Sequence, residues 1–432
     1  TGVGLTGPVT FLVLGFVNGL TSGFSVKVAQ AFGAGDEARV RRAVGMSYLL
    51  CVAVAVVVTA VAVPLTAPLL RLMQTPSAYY DYAYWYLLII FCGIGATVFY
   101  NIVAGLLRAV GDSRTPLYFL VAAAVLNVGL DFAFIMGCGW HYCGAALATV
   151  LSQLISGAAC LAYALYRYPV LRPARSDFGW DTRLAMGHFA VGLPMALQFS
   201  ITAIGCIVQQ TALNGLDAAL PGAVTAYTAA SKIDNIANQV FVALGTALAT
   251  YAGQNYGAGE FGRIRRGVLA GMVYVFAGSV IGFAFAVGLC EPLMKLFLNT
   301  DLSADVAGNY GAIIGYGRQF LLWQCSFYPF LGAIYVYRNT LQGIGRSAVT
   351  TFAGVTELAG RVLASLVFVR VWGFTGVCSS NPVAWVAAVI FLVATYAVVM
   401  RRRNNGELPR ARSRAHRRRL RRSCRIAVRR AS

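Results

Sequence analysis

The stretch Ala29 to Val44, AQAFGAGDEARVRRAV, returns 224 residues later as Gly253 to Val268, GQNYGAGEFGRIRRGV, with eight of the sixteen positions identical. A repeat at that distance means that the chain is two copies of one structural unit, so a fold assigned to the first half must also serve the second. Apolar sequence flanks both copies. Hydrophobic residues make up 58% of the chain and charged residues only 12%, with a mean hydropathy of +0.68, which places it among membrane proteins rather than soluble ones.

Eleven apolar runs are long enough to cross about 30 Å of hydrocarbon at ~1.5 Å per residue. They cover 3–28, 44–70, 79–107, 115–136, 143–166, 186–213, 222–252, 268–290, 308–337, 347–369 and 375–400. The predicted fold class is an all-α polytopic membrane protein of two pseudo-symmetric helical bundles, five spans in the first and six in the second. The lobes are expected at 1–166 and 186–400, joined by a cytoplasmic linker at 167–185 and followed by a disordered basic tail at 401–432. Pro194 and Pro329 interrupt spans, as membrane helices tolerate.

Of the 35 Lys and Arg residues, 29 fall on one side if the loops alternate, Arg338 and Arg346 among them and fourteen in the tail. Only Arg71, Lys295 and Arg370 lie in the opposite loops. The basic side is cytoplasmic by the positive-inside rule. Thr1 aligns with Thr225, and the second copy has 39 residues before that point, counted from the start of its first span at Met186. The first copy is therefore expected to lack its opening helix, with twelve spans in a complete molecule; a natural eleven-helix form is the alternative.

Five segments carry a family resemblance in the right order and on the right sides: the two copies of the repeat, LLRAVGDSRTPLYFLVAAAVLNVGLDF at 106–132, GAALATVLSQ at 144–153 and LQGIGRSAVTTFAGVTELAGR at 341–361. Together they resemble the bacterial MATE family of multidrug and toxic-compound extrusion transporters, over nearly the whole chain to Met400. The resemblance implies a multi-pass protein of the bacterial cytoplasmic membrane. Such a protein exchanges a proton or a sodium ion for an organic molecule, usually cationic, and needs no other cofactor.

An ion-coupled antiporter needs a group at membrane depth that is ion-bound in one state and free in another. Only Asp131, Asp234 and Glu357 are acids well inside spans. Asn127 precedes Asp131 by four residues on the same helical face, and Thr149 on the next span lies at a similar depth, so the three can meet. Their oxygens suit a proton or sodium. The resemblance implies the same trio as the cation-coupling site, since one branch of the family builds it from an Asn and an Asp four apart on the fifth helix and a Thr on the sixth. That branch also has an aspartate on its first helix, which this chain does not show. The competing reading is structural, with Asp131 hydrogen-bonded to Asn127. The second half does not repeat the site, because Asn127 aligns with Arg361 and Asp131 with Ser365.

Lys232, Asp234, Glu357 and Arg361 form a second charged group near mid-membrane, either a neutralised structural network or part of a substrate cavity or gate. Gln198 and Gln209, with Gln210 and Asn214, either line that cavity or pack between helices. The ten cysteines contain no CxxC and there are only three histidines, so no metal site is expected beyond sodium at Asp131; Cys138 and Cys143 flank an outer turn as a pair or as free thiols. GAGD at 33–36 lacks the ending of a phosphate loop, and no ATP site is visible. The arginine-rich tail is read as a partner of anionic lipid headgroups and not of nucleic acid.

The expected function is therefore ion-coupled efflux of amphipathic organic cations by a monomer in the bilayer, through alternating access. The rival readings are a flippase for a lipid-linked saccharide precursor, which would want a strongly basic cavity, a membrane-embedded transferase, which would want an acidic metal cluster, and a non-functional truncated paralogue.

Overall fold

In hydrocarbon every backbone N–H and C=O must be bonded within the protein, and a helix does this locally. The computed structural model describes residues 6–72, 77–216, 220–298 and 309–404, and among them it contains helices and connecting turns with no strand. The basic tail beyond residue 404 and its expected contact with anionic lipid lie outside the described residues. Among the described residues, nine helices are long and apolar enough to cross a membrane, and two bent pairs, 79–109 and 310–343, bring the spans to eleven. This is the number and order that the sequence predicts.

The first half runs through α1 (Gly7–Gly33), α2 (Glu37–Leu72), α3 (Ser77–Cys92), α4 (Ile94–Ala109), α5 (Arg114–Asp131) and α6 (His141–Arg167). The second runs through α7 (Thr182–Asn214), α8 (Ala223–Gly257), α9 (Phe261–Gly288), α10 (Cys290–Phe297), α11 (Tyr310–Ser326), α12 (Tyr328–Gly343), α13 (Ser347–Leu363), α14 (Val369–Trp372) and α15 (Phe374–Asn404). Two hydrophobic cores follow this division. One gathers residues from Val9 to Ala196 and the other from Leu213 to Leu392, so α7 gives its first half to one core and its last residues to the other.

The duplication is written into the backbone. Gly35 and Gly259, Gly111 and Gly345, and Gly139 and Gly373 all have positive φ, at matching turns of the two halves. The bends between α3 and α4 and between α11 and α12 measure 46° and 45°. Both α5 and α13 open into a π-helix at the same place, at Phe132–Gly137 and Ala364–Phe368.

The lobes meet where side chains are missing. Along α1, Gly15 faces the Phe199 ring, Gly19 faces the Ala196 backbone and Gly23 the Gly192 backbone of α7, a small-residue stripe that lets two helices touch. Nearer the basic loops, α1 crosses α8. There a methyl on Gly33 would overlap the Gln254 carbonyl, and one on Gly257 would overlap the Gln30 carbonyl. The same two glutamines reach across the seam. Gln30 Nε2 donates to the Gly343 carbonyl at 2.8 Å and Gln254 Nε2 donates to the Ala109 carbonyl at 2.9 Å. These bonds are one another's image under the repeat, and each closes the end of a helix in the opposite lobe.

The loop after α4 is tied to the linker by the Tyr168 hydroxyl, which donates to Asp112 Oδ2 at 2.9 Å. Burial opposes the ionised carboxyl, but hydrogen bonds from Thr115, Tyr168 and Arg114 outweigh it and hold Asp112 below the usual carboxylate range. The corresponding residue of the second half is Arg346, so this tie belongs to one lobe only.

If backbone contact at the seam sets the lobe packing, Gly33→Ala and Gly257→Ala will each destabilise the protein by about 1–3 kcal/mol, as overpacking does. Gly262, where an added methyl meets nothing within 4 Å, is the control. Thermal unfolding in detergent is the measurement, and equal midpoints for all three variants would refute the assignment.

Candidate functional site

Asp131 is the last residue of α5, immediately before the helix widens into its π segment. Widened turns of this kind recur at functional sites because they redirect side chains and loosen the backbone ladder. Asp131 Oδ1 and Asn127 Nδ2 are both buried, and neither has a hydrogen-bond partner. The bond from Asn127 to Asp131 that a purely structural role would use is thus not made. On α6, which packs against α5, Thr149 donates its hydroxyl to the Ala145 carbonyl at 2.9 Å, and its oxygen retains lone pairs for another partner. Asp131 also lies within electrostatic range of Tyr86 on α3.

An unsatisfied buried polar atom costs about 1–3 kcal/mol, and Asn127 and Asp131 place two of them one turn apart on α5. Asp131 offers carboxylate oxygens that suit a proton or an alkali cation, whereas the orphaned Asn127 atom is an N–H donor, which pairs with an acceptor and not with a cation. Among the described residues no three His, Cys, Asp or Glu side chains gather into a metal-holding group. Two further polar contacts cross the interior of this lobe and escaped the sequence reading: Asn101 Nδ2 donates to Asn18 Oδ1, and Thr97 Oγ1 donates to Gln153 Oε1 at 2.6 Å. Their signal was visible as amides inside apolar runs.

The face that carries this chemistry is thinly covered. On α13, α7 and α15 bury Ser347, Thr350, Ala353, Gly354, Glu357 and Arg361. On α5, its counterpart, only Thr115, Pro116 and Ala123 are buried.

The second lobe handles its charges differently. Glu357 lies between two guanidinium groups, with Oε2 2.8 Å from Arg338 Nη2 and Oε1 2.8 Å from Arg361 Nη2. All three residues are at most 6% exposed. Arg361 Nε also donates to Asn381 Oδ1 at 3.0 Å, and Asn381 Nδ2 reaches Gln324 Oε1 at 3.4 Å. Glu357 and Arg361 thus meet, with Arg338 as a third member that the sequence reading had assigned to the basic loops. It lies inside α12, one turn before the helix ends. The spacing signal was absent, because Arg338 comes from another helix, 19 residues before its partner.

The remaining candidates do not join this cluster by direct bonds. Asp234 accepts a hydrogen bond from the Tyr328 hydroxyl at 2.9 Å. Lys232 is exposed and sits over the Phe297 ring, 5.4 Å from its centroid. Gln198 accepts from Gln342 Nε2 at 2.8 Å, and Gln209 is buried with Nε2 donating to the Val377 carbonyl at 3.2 Å. Gln209 thus fastens α7 to α15, whereas Gln198 stands half-buried in contact with α12.

The MatE family profile matches residues 1–133 and 194–364, one stretch in each half. The chain belongs to the MatE family. It is 25% identical over 411 residues to the probable multidrug resistance protein YoeA of Bacillus subtilis, covering 92% of this chain and 85% of the relative. It is 29% identical over 340 residues to the probable multidrug resistance protein YpnP of the same organism, covering 79% and 72%. In fold it is similar to an outward-facing multidrug resistance MATE transporter of the MOP superfamily, with a TM-score of 0.84 at 23% identity over 92% of this chain and 87% of that one.

This MatE protein is accordingly a secondary membrane transporter and not an enzyme. The MatE frame holds two lobes of one backbone design, and their contents differ. At equivalent positions, the first lobe has Asn127 and Asp131 and the second has Arg361, tied into an ion cluster, and Ser365, whose buried Oγ is without a partner as Asp131 Oδ1 is.

The two carboxylates are expected to respond oppositely to neutralisation. Glu357→Gln strips two buried guanidinium groups of their counter-charge and should cost about 3–5 kcal/mol. Asp131→Asn removes an unpartnered carboxylate and should leave the thermal midpoint in detergent unchanged or raise it. A drop in Asp131→Asn as large as that in Glu357→Gln would make Asp131 a structural residue.

Proposed function

We propose that this MatE transporter exports amphipathic organic cations across the bacterial cytoplasmic membrane in exchange for protons or sodium ions, with Asp131, Asn127 and Thr149 as the coupling site. The observation that carries the reading is Asp131 Oδ1, a buried carboxylate oxygen without a hydrogen-bond partner. A group left without a partner in one conformation gains most from an ion that arrives in that conformation, and this difference is what drives exchange. The names of the Bacillus subtilis relatives support the substrate class.

Alternating access needs a closure that opens and re-forms. The reciprocal bonds of Gln30 and Gln254 supply one, on the side of the basic loops. In this conformation they hold the cytoplasmic ends of the lobes together, and cargo is released on the other side. Inward opening breaks both bonds and separates the glycine contacts beneath them. The ion cluster around Glu357 keeps α12 and α13 together during that movement, so the second lobe turns as one body.

Ethidium efflux in proteoliposomes of the full chain, driven separately by imposed proton and sodium gradients, tests the proposal. Transport is expected under one gradient only, with at least a ten-fold loss in Asp131→Asn. Transport that survives in the variant would remove the coupling site but leave the exporter; no transport under either gradient by folded protein would remove the exporter. For the closure, Gln30→Ala combined with Gln254→Ala is expected to speed amide hydrogen exchange at the ends of α4 and α12. Unchanged exchange there would show that the glutamines do not hold the lobes shut.

A further inference from the structure

In the first lobe, a crevice of about 830 Å³ lies between α2, α4 and α6 and ends against the linker. Tyr48, Val52 and Val56 of α2, Phe99 of α4 and Leu161 of α6 line it. Val52 and Val56 are 65% and 62% exposed on a membrane-spanning helix, so the crevice faces lipid. Its size falls within the range of about 300–1,000 Å³ typical of small-molecule sites. Its walls offer almost nothing to a polar ligand.

The exception is Arg172, at the linker end. This side chain lies across the last turn of α6, donating Nε to the Leu165 carbonyl and Nη2 to the Tyr166 carbonyl at 3.1 Å. Those bonds hold the guanidinium at the mouth of the crevice without neutralising it. The linker's acids are engaged elsewhere. Asp177 takes the Ala174 amide at 2.8 Å and sits 3.8 Å from Arg41, and Asp181 caps α7 through the Leu184 amide. Among the described residues, no carboxylate forms an ion pair with Arg172.

The other lobe has an aromatic pair in the corresponding region. Tyr337 of α12 and Tyr396 of α15 stack edge to face, 5.3 Å between centroids. The residues at the equivalent positions are Val103, 234 earlier, and Ala164, 232 earlier in the register that pairs Gly144 with Gly376, and they adjoin the crevice-lining Ile102 and Leu165.

We infer that this crevice is a binding site for an anionic phospholipid of the cytoplasmic leaflet, its acyl chain along α2, α4 and α6 and its phosphate against Arg172. The apolar walls match a hydrocarbon chain, and the unpaired guanidinium stands where the headgroup of such a lipid would lie, on the side of the basic loops. The exposed Tyr166, Phe178 and Trp180 around that end are the residue types that settle at the headgroup level. The same guanidinium argues against an organic cation as occupant.

Native mass spectrometry of the full chain, titrated in detergent with phosphatidylglycerol or with phosphatidylcholine of the same chains, provides the test. One tightly held phosphatidylglycerol is expected, preferred roughly five-fold, the effect of one arginine beside an anionic headgroup. Gly95 lines the crevice and has nothing within 4 Å of an added methyl, so the backbone there accepts a side chain, and Gly95→Phe places a ring in the crevice and should remove the bound molecule of either lipid. Val52→Trp fills it from the opposite wall, should the first variant unfold. Arg172→Gln retains donors for the helix end and should bind both lipids equally. Retention of the tightly held lipid in folded crevice-filling variants, or an unchanged preference in Arg172→Gln, would overturn the inference.

Discussion

Two membrane helices come into backbone contact only where neither has a side chain in the gap, and the rest of this structure is arranged around that condition. Gly19 and Gly23 set α1 against α7, while Gly33 and Gly257 set the ends of α1 and α8 against each other's carbonyls. At that separation a glutamine side chain spans from one lobe to a helix end in the other. A wider crossing would leave the amides short of their acceptors. The repeated motif is therefore less a loop signature than a pair of matching surfaces, and this explains why Gln, Gly, Ala and Gly recur in both copies.

Within that shared frame the lobes have diverged in how they treat charged groups. The second satisfies its buried charges by mutual pairing, with Glu357 between Arg338 and Arg361 and Asn381 and Gln324 extending the network. A cluster of this kind resists disturbance, because separating any member exposes an uncompensated charge to hydrocarbon. The first lobe leaves Asn127 and Asp131 incomplete at the start of a π segment. Unsatisfied groups weaken a fold, and natural proteins keep them where binding recovers the cost.

Span number, topology and duplication were legible because lipid allows few solutions and each leaves a long one-dimensional trace. The runs at 79–107 and 308–337 are both bent, at Gly93 and at Phe327. Pro329, an interruption visible in the sequence, lies two residues past the second bend in the first turn of α12, whereas no proline marks the first. Asp131 and Asn127 were legible from spacing on one helix. Arg338 was not: an arginine near the end of an apolar run looks like a loop residue unless its partner on another helix is known. For the same reason Gln30 and Gln254 were visible as repeated letters but not as a connection, since their acceptors lie 313 and 145 residues away.

The mirrored placement of those two amides has a consequence for kinetics. A rotation of one lobe against the other about the pseudo-twofold axis lengthens both bonds together, because each is the image of the other. Under the proposed alternating access, the closure therefore has no stable half-way form, in which one amide holds and the other has let go. It would act as a toggle with two resting positions and a sharp crest between them.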